Sequence, residues 1–234
     1  MLSLKNFKIE LRKLANPDKA LVLQHFFKTR KGEYGAGDIF LGVMVPQQRN
    51  LIKSYFDLTF KDLKTLLNSK YHEERLCSLL ILVKQYQKTS CPQKKKSIYQ
   101  FYLTHTHRIN NWDLVDLTAP HIVGDYLFNK DPTMLYHLAK SKSLWERRIT
   151  MVATHYFIRQ KIYQPTLTLA TMLLNDQEDL IHKASGWMLR ELGKREVKIL
   201  EDFLRQHAPK MPRTMLRYAI EKLPEEKRQN YLNS

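Results

Sequence analysis

The segment LWERRITMVATHYFIRQK, residues 144–161, decides the fold class of this chain. Its apolar side chains recur at spacings of three and four residues, which is typical of one face of an α-helix. The Glu146-Arg147 pair near its start matches Glu74-Arg75, and each pair lies inside a predicted helix that follows a shorter one. The match indicates that the chain repeats a helical unit.

An internal repeat extends this pattern along the chain. Residues in the same register follow one another at intervals of 36 residues, at Arg75, Asn111, Arg147 and Lys183. Helix pairs that recur in this way are typical of HEAT-like solenoids, in which equivalent helices stack side by side and line one curved face. Because each repeat needs its neighbours to bury its apolar side, we predict an all-α chain. We expect a single HEAT-like repeat domain over residues 1–234 with a concave groove.

Further helices are predicted from the same spacing and from capping residues. Asn16 with Pro17, and Val45 with Pro46, are typical helix starts, and Thr59 is the predicted cap of a helix over 60–68. No stretch alternates apolar and polar residues for long enough to predict a strand. The clearest loop is the segment 29–38, which holds three of the seven glycines. The other predicted helices cover residues 72–88, 93–108, 111–127, 132–141, 165–174, 179–195, 196–207 and 213–222.

The composition is that of a folded protein without disulfides or membrane segments. The low content of glycine and proline, 7 and 9 residues, argues against an all-β chain. Cys77 and Cys91 form no C-x-x-C pair, so we expect two free thiols in a reducing cytoplasm. The N-terminal residues lack the long apolar run of a signal peptide, and the longest apolar run, residues 79–83, is too short to cross a bilayer. We therefore expect a cytoplasmic protein that has no membrane partner.

The net charge of +16 is unevenly distributed. Residues 1–108 carry 20 lysines and arginines against 8 acidic residues, and residues 151–234 carry 14 against 10. Residues 109–150 carry 5 of each and are neutral. Basic flanks around a neutral segment suit a polyanion that is held on both sides of a reaction centre, which favours nucleic acid as the partner. A pI near 9.7 also fits an RNA-associated or a membrane-surface protein. The structural alternative is that the lysines are simply solvated surface residues.

A stripe of aromatic and charged residues crosses the predicted helices. In the first repeat the stripe consists of Leu76, Leu79 and Leu80, which indicates that it faces the hydrophobic core there. Each later member also has a structural alternative, namely a helix cap for the aspartate, core positions for the tryptophans and ion pairs for the arginines. Two arginines, an aspartate and two tryptophans are nevertheless hard to place in a dry core, so we favour a groove. The five residues are Trp112, Asp116, Arg148, Trp187 and Arg190.

The chemistry of these residues suits cleavage of an N-glycosidic bond. Guanidinium groups hold phosphates, and indole faces stack on bases or lie against sugars. Phosphate repels a carboxylate, so Asp116 needs a positive charge nearby, either an arginine or a cation on the substrate. Glycosidic cleavage supplies such a cation, because its transition state places positive charge on the sugar. A base that is already cationic leaves without protonation, so one carboxylate that stabilises the sugar cation and orients water would suffice.

Other motifs indicate no second chemistry. His105 and His107 form an H-x-H pair without a cysteine or carboxylate at ligand spacing, so we expect no metal and no cofactor. The glycines of residues 32–37 lack the Gly-Lys-Ser/Thr ending of a phosphate loop. The run Lys94-Lys95-Lys96 is interpreted as a solvated helix face, with phosphate contact as the alternative. Lys183 lies near the stripe, which leaves a Schiff-base lyase role open.

The sequence resembles the AlkD family of alkylpurine DNA glycosylases, also called DNA alkylation repair proteins, over nearly its whole length. The combination of Trp-x-x-x-Asp at 112–116 and Gly-Trp-x-Leu-Arg-Glu at 186–191 is the more specific part of the resemblance. Some members carry a tyrosine in the N-terminal helix where this chain has Phe26, and a lysine where it has Tyr156. The other similar stretches are 27–43, 108–124, 144–149, 180–194 and 211–221.

The resemblance implies a curved helical solenoid that binds duplex DNA in its concave face and releases N7- or N3-alkylated purines. It implies that Asp116 stabilises the sugar cation and positions water, and that Trp112 and Trp187 pack against the deoxyribose of the lesion. Arg148 and Arg190 would hold the DNA backbone. We also include Phe26 and Lys183 among the predicted DNA-binding residues. The family is thought to act without swinging the base into a pocket.

We therefore predict a monomeric, metal-free, monofunctional DNA glycosylase for cationic alkylpurines in double-stranded DNA. It would need no cofactor and would be cytoplasmic, with the nucleoid as its place of action. Two alternatives stay open, a non-catalytic HEAT-like protein that binds branched or distorted DNA and a protein-interaction scaffold. Asp116 distinguishes the glycosylase from the non-catalytic DNA-binding protein, because a protein that only binds DNA has no need of a carboxylate in an anionic groove.

Overall fold

The structure is a computed structural model that describes residues 3–233, and this part of the chain is helical without any strand. An isolated bridge between Ile39 and Tyr71 is its nearest approach to a sheet. The all-α prediction is therefore confirmed. The α-helices are α1 (Leu4–Lys13), α2 (Pro17–Phe26), α3 (Val45–Leu51), α4 (Phe60–Leu67), α5 (His72–Lys88), α6 (Pro92–Thr104), α7 (Trp112–Asp116), α8 (Asp125–Phe128), α9 (Thr133–Leu138), α10 (Leu144–Arg159), α11 (Gln164–Met172), α12 (Asp179–Gly193), α13 (Val197–His207), α14 (Arg213–Ile220) and α15 (Glu225–Asn233).

Helix starts follow the predicted capping residues. The side chain of Asn16 accepts a hydrogen bond from the backbone N–H of Lys19, and Pro17 occupies the first position of α2. Thr59 and Asp62 form a reciprocal capping box at the start of α4. These contacts satisfy backbone N–H groups that have no partner inside the helix. The sequence-based assignment of both starts is confirmed.

The segment 111–127 differs from the single helix that its spacing predicts. Helix α7 ends at Asp116, and after a turn the chain forms a π-helical turn over Pro120–Gly124 before α8. Pro120 explains the break, since its ring clashes with the carbonyl of the residue four positions earlier and it has no N–H to donate. That residue is Asp116. The proline therefore places Asp116 at the C-terminal end of a short helix.

The predicted helix over 93–108 is also interrupted. Helix α6 ends at Thr104, and a separate 3₁₀ turn spans Thr106–Arg108. Two further 3₁₀ turns follow α3 and α13, at Ile52–Ser54 and Ala208–Lys210.

The helices gather into two compact units, one ending at Thr118 and the other beginning at Ala119. In the first unit α5 packs against α4, and its Leu76, Leu79 and Leu80 are buried, which confirms that the first repeat uses this stripe as core. In the second unit α12 packs between α10 and α14. The single domain over residues 1–234 stays a prediction.

The 36-residue register has a counterpart in the contacts of Arg75 and Arg147. The Nη1 of Arg75 donates to the carbonyl of Ser69 at 3.2 Å, and the Nη1 of Arg147 donates to the carbonyl of Ser141 at 3.0 Å. Each arginine also forms an ion pair with an aspartate, Asp38 in the first case and Asp176 in the second. The two arginines thus fix the loop before their own helices in the same way.

Candidate functional site

An aromatic stack surrounds Trp112 at the start of α7. The ring of Phe27 lies parallel to the indole, with centroids 4.9 Å apart and planes 18° apart, and Phe26 meets the indole edge-on at 5.8 Å. The indole Nε1 donates to the hydroxyl oxygen of Tyr34 at 3.3 Å. Phe27 is buried, Trp112 is half-buried and Phe26 is 58% exposed. The stack therefore presents one buried anchor and two rings that reach the surface.

Asp116 lies one turn after Trp112, as the last residue of α7, and is half-buried. The buried hydroxyl of Tyr102 lies near it and shares a hydrogen bond of 3.0 Å with the hydroxyl of Thr118. Burial raises the pKa of Tyr102, and the negative charge of Asp116 raises it further. Tyr102 thus stays a neutral phenol beside the carboxylate.

A buried ionic network adjoins the stack, and sequence reasoning missed it. The Nδ1 of His72 lies 3.0 Å from Oδ2 of Asp38, and its Nε2 lies 2.8 Å from Oδ2 of Asp113. The Nη2 of Arg75 donates to Oδ2 of Asp38 at 2.5 Å, and the amide of Asn110 donates to Oδ1 at 3.2 Å. The aspartates are 34 and 41 residues from His72 in sequence, so no local spacing could reveal the network.

The charged groups of this network shift the pKa values of His72 and Asp38. Burial alone would lower the pKa of His72, but the charge of Asp113 and the hydrogen bonds to Asp113 and Asp38 raise it to about 9. Burial alone would raise the pKa of Asp38, but the hydrogen bond from His72 and the charge of Arg75 lower it to about 2. The network therefore holds charged groups in a buried place.

A largely apolar cavity of about 170 Å³ borders the stack and the network inside the first unit. Phe26 and Phe27 line this cavity together with the charged or polar residues His72, Glu73 and Asp113. The carboxylate of Glu73 also accepts hydrogen bonds from the backbone N–H groups of residues 41–43. The loop before α3 is thereby attached to α5.

The second unit holds the remaining predicted site residues. Trp187 is half-buried in α12, with its ring 6.3 Å from the ring of His155 of α10. Arg148 is 5% exposed and donates from Nη1 to the carbonyl of Leu180. Burial is the main cause that lowers the pKa of His155. This face thus combines a tryptophan and a neutral histidine with an arginine that connects α10 to α12.

Arg190 and Lys183 take part in ion pairs on α12. Arg190 pairs with Glu221 of α14 and with Glu191 at 3.3 Å, and among the described residues its buried Nε has no hydrogen-bond partner. Lys183 pairs with Asp179 one turn earlier at 2.8 Å. The pair of Arg190 with Glu191 is the structural alternative that the sequence left open for this arginine.

The structure brings together some predicted residues and distributes others. Phe26, Trp112 and Asp116 lie in the first unit, the first two in contact and the last two on one helix. The other four belong to the second unit. Their roles in DNA binding and catalysis stay predictions. The four are Arg148, Lys183, Trp187 and Arg190.

The described residues hold neither a cluster of metal ligands nor a membrane-spanning helix. Within residues 3–233 no group of three or more histidine, cysteine, aspartate or glutamate residues is arranged to hold a metal ion. None of the helices in the same range is both long and apolar enough to cross a membrane.

Comparison with known proteins gives a consistent family. The family described as DNA alkylation repair enzyme matches residues 7–223. Comparison with curated proteins found no match. Among solved structures, the chain is similar to a predicted DNA alkylation repair enzyme from Enterococcus faecalis, with a TM-score of 0.70 and 16% identity over 90% of this chain and 97% of that one. That similarity supports the helical-repeat fold. Since the family match spans nearly the whole sequence, the chain belongs to the family of DNA alkylation repair enzymes.

Proposed function

We propose that this protein is a monofunctional DNA glycosylase that excises cationic N7- or N3-alkylated purines from duplex DNA. The observation that carries the proposal is the pairing on α7, where the half-buried Trp112 precedes the half-buried Asp116 by one turn. The indole is held by Phe27 and Phe26, so its orientation does not depend on a ligand. A fixed aromatic face beside a carboxylate suits a sugar that becomes cationic.

The proposed reaction is hydrolysis at the anomeric carbon of the lesion. The bond between C1′ and the purine nitrogen breaks, and its electron pair goes to the cationic base, which leaves neutral. Asp116 stabilises the positive charge that develops on the sugar and orients a water molecule. The water oxygen bonds to C1′, and its proton passes to the carboxylate or to solvent. No general acid is needed, because the leaving base carries its own positive charge.

The positive charge of the protein supplies the attraction to DNA. A net charge of +16 favours binding to a polyanion without sequence preference. Phe26, which is 58% exposed, contributes an apolar ring at the surface beside Trp112. In the second unit, Trp187 is the proposed sugar contact. Arg148, Arg190 and Lys183 are the proposed backbone contacts.

The test is release of 7-methylguanine from methylated duplex DNA by the purified wild-type protein, with duplex binding measured on the same preparation. We expect release of 7-methylguanine and little release of uracil from a uracil-containing duplex, since uracil is a neutral base. Binding without any release would replace the glycosylase by the DNA-binding alternative. Efficient excision of uracil would contradict the mechanism without a general acid.

A further inference from the structure

We propose that His72 is a positioning residue that holds α7, and with it Trp112 and Asp116, through an imidazolium clamped between Asp38 and Asp113. The inference rests on the proposed function for its consequence in catalysis, but the clamp itself is a property of the fold. We assign His72 no contact with the substrate. It would act only through the aspartates.

The geometry around His72 requires the charged ring. Both ring nitrogens face carboxylate oxygens, at 3.0 Å and 2.8 Å. A neutral imidazole has one N–H donor and one lone pair, so one of these contacts would set a lone pair against a carboxylate. The imidazolium donates from both nitrogens and satisfies both contacts. The side chain of His72 is 1% exposed, so water cannot replace either partner.

The charge balance of the network leads to the same conclusion. Asp38 and Asp113 contribute two negative charges, and Arg75 contributes one positive charge through its contact with Asp38. With His72 protonated the four groups are neutral overall. Without that proton the network carries a net negative charge in a buried place, which is costly. The proton on His72 therefore decides the net charge of the network.

Other charged groups near the network are held by separate contacts. Arg108, whose pKa is lowered mainly by burial and then by Arg75, donates to the carbonyls of Leu67 and Ser69. Glu73, next to His72 on α5, accepts from the backbone of residues 41–43. Neither of them replaces the bridge that His72 makes between the two aspartates.

The two ends of the clamp belong to the helix that carries Trp112 and to the loop that contacts its indole. Asp113 follows Trp112 directly, and its Oδ1 accepts from the backbone N–H of Leu114 in the first turn of α7. Asp38 ends the loop that carries Tyr34, whose hydroxyl oxygen accepts from the indole of Trp112. The ring of His72 itself stacks on the ring of Phe40 at 4.4 Å. Loss of the proton from His72 therefore loosens both the helix that carries Trp112 and the loop that contacts it.

The first experiment measures the solvent accessibility of the Trp112 indole and does not depend on activity. The substitutions Trp145→Phe and Trp187→Phe together leave Trp112 as the one tryptophan. The quenching of its fluorescence by acrylamide is then measured from pH 6 to pH 10. We expect quenching to increase with a midpoint near pH 9. The same titration with His72→Gln should show high quenching at every pH. A change that persists unaltered in His72→Gln, or no change in the folded protein, would overturn the proposal.

A second variant covers the case in which His72→Gln does not fold. Asp113→Asn keeps the size of the side chain but removes one charge that favours the imidazolium. The midpoint of the Trp112 transition should then shift to lower pH. An unchanged midpoint would contradict the clamp. His105→Gln serves as the matched control, because His105 lies outside the network and stacks on Phe101, and this substitution should leave the transition unaltered.

The second experiment links the clamp to the proposed reaction. Single-turnover release of 7-methylguanine is measured over the same pH range and corrected for release without protein. Wild-type protein should lose rate as pH rises through about 9. His72→Gln should be slower by up to about 100-fold at pH 7, as expected for a misplaced catalytic group, and should lack this pH step. If the wild-type protein releases no 7-methylguanine, the proposed function is contradicted. The quenching experiment still tests the clamp, because it does not depend on activity. A His72→Gln profile equal to wild type would contradict the positioning role.

Discussion

The indole of Trp112 stacks on the ring of Phe27 with 4.9 Å between centroids and 18° between planes. Phe27 is 7% exposed, so the stack fixes a surface aromatic against the core of the first unit. Asp116 follows one turn later, at the place where Pro120 ends the helix. The site proposed for sugar chemistry is therefore built from a short, anchored helix.

Substitutions at Phe27 and at Phe26 should affect stability and DNA binding differently. Phe27→Ala removes a buried ring and should lower the free energy of unfolding by about 3–5 kcal/mol. Phe26→Ala removes a ring that is 58% exposed and should cost about 1 kcal/mol or less, the scale of one aromatic pair. Urea unfolding measures the stability of both variants. Phe26→Ala should nevertheless weaken binding to methylated duplex, and equal binding by Phe26→Ala and wild type would contradict the role given to this ring.

Stability should fall at alkaline pH because of His72. Its pKa in the folded state, about 9, is above the ordinary value of 6.5, so its contribution is complete below pH 6.5 and is lost as pH rises through about 9. The loss should be on the order of 3 kcal/mol. Urea unfolding between pH 6 and pH 10 measures it, and His72→Gln should remove this part of the pH dependence. A wild-type stability that stays constant over this range would refute the charged clamp.

Gly186 should resist substitution although it lies inside a helix. A Cβ there would overlap the carbonyl oxygen of Met215 and would lie 2.5 Å from the Cβ of Tyr218, so α12 and α14 would have to separate. Gly186→Ala should cost roughly 1–3 kcal/mol, instead of the gain of about 1 kcal/mol usual for this change in a helix.

Gly193→Ala is the matched control for Gly186→Ala, because its added Cβ meets the end of the movable Leu200 side chain. It should be better tolerated in urea unfolding. If the two variants have the same free energy of unfolding, the close packing of α12 on α14 at Gly186 is contradicted.

Duplex binding should depend steeply on salt. If about six phosphates are neutralised, affinity should fall by roughly a factor of 10³ between 50 mM and 200 mM salt. Fluorescence anisotropy with an undamaged duplex measures this slope. Binding that does not change with salt would favour the interaction scaffold over a DNA-binding protein.

The helices were predictable because their signals are local. Apolar spacing and the caps at Asn16 and Thr59 depend on residues a few positions apart, and the structure confirms them. The break before the π turn was missed, although Pro120 is visible in the sequence, because helical spacing continues across it. The His72 network could not be predicted, since its aspartates come from distant segments that only packing brings together.

The candidate site was predictable in part for the same reason. The spacing of Trp112 and Asp116 on one helix is local. The contact of Phe26 with Trp112 joins residues that are far apart in sequence and arises only from packing. The burial of Arg148 is not local, because its partner is the carbonyl of Leu180 on another helix. Charge alone cannot distinguish an arginine that binds phosphate from one that connects two helices.

Asp116→Asn shows whether the carboxylate of Asp116 takes part in the reaction. Single-turnover release of 7-methylguanine by this variant is compared with release by wild type and by Asp57→Asn, which removes an exposed carboxylate of the same unit. We expect Asp116→Asn to lose about 100-fold or more in rate, the scale of a lost electrostatic contact in the transition state, while duplex affinity is retained. Asp57→Asn should match wild type. Equal release by Asp116→Asn and wild type would contradict the catalytic role of Asp116.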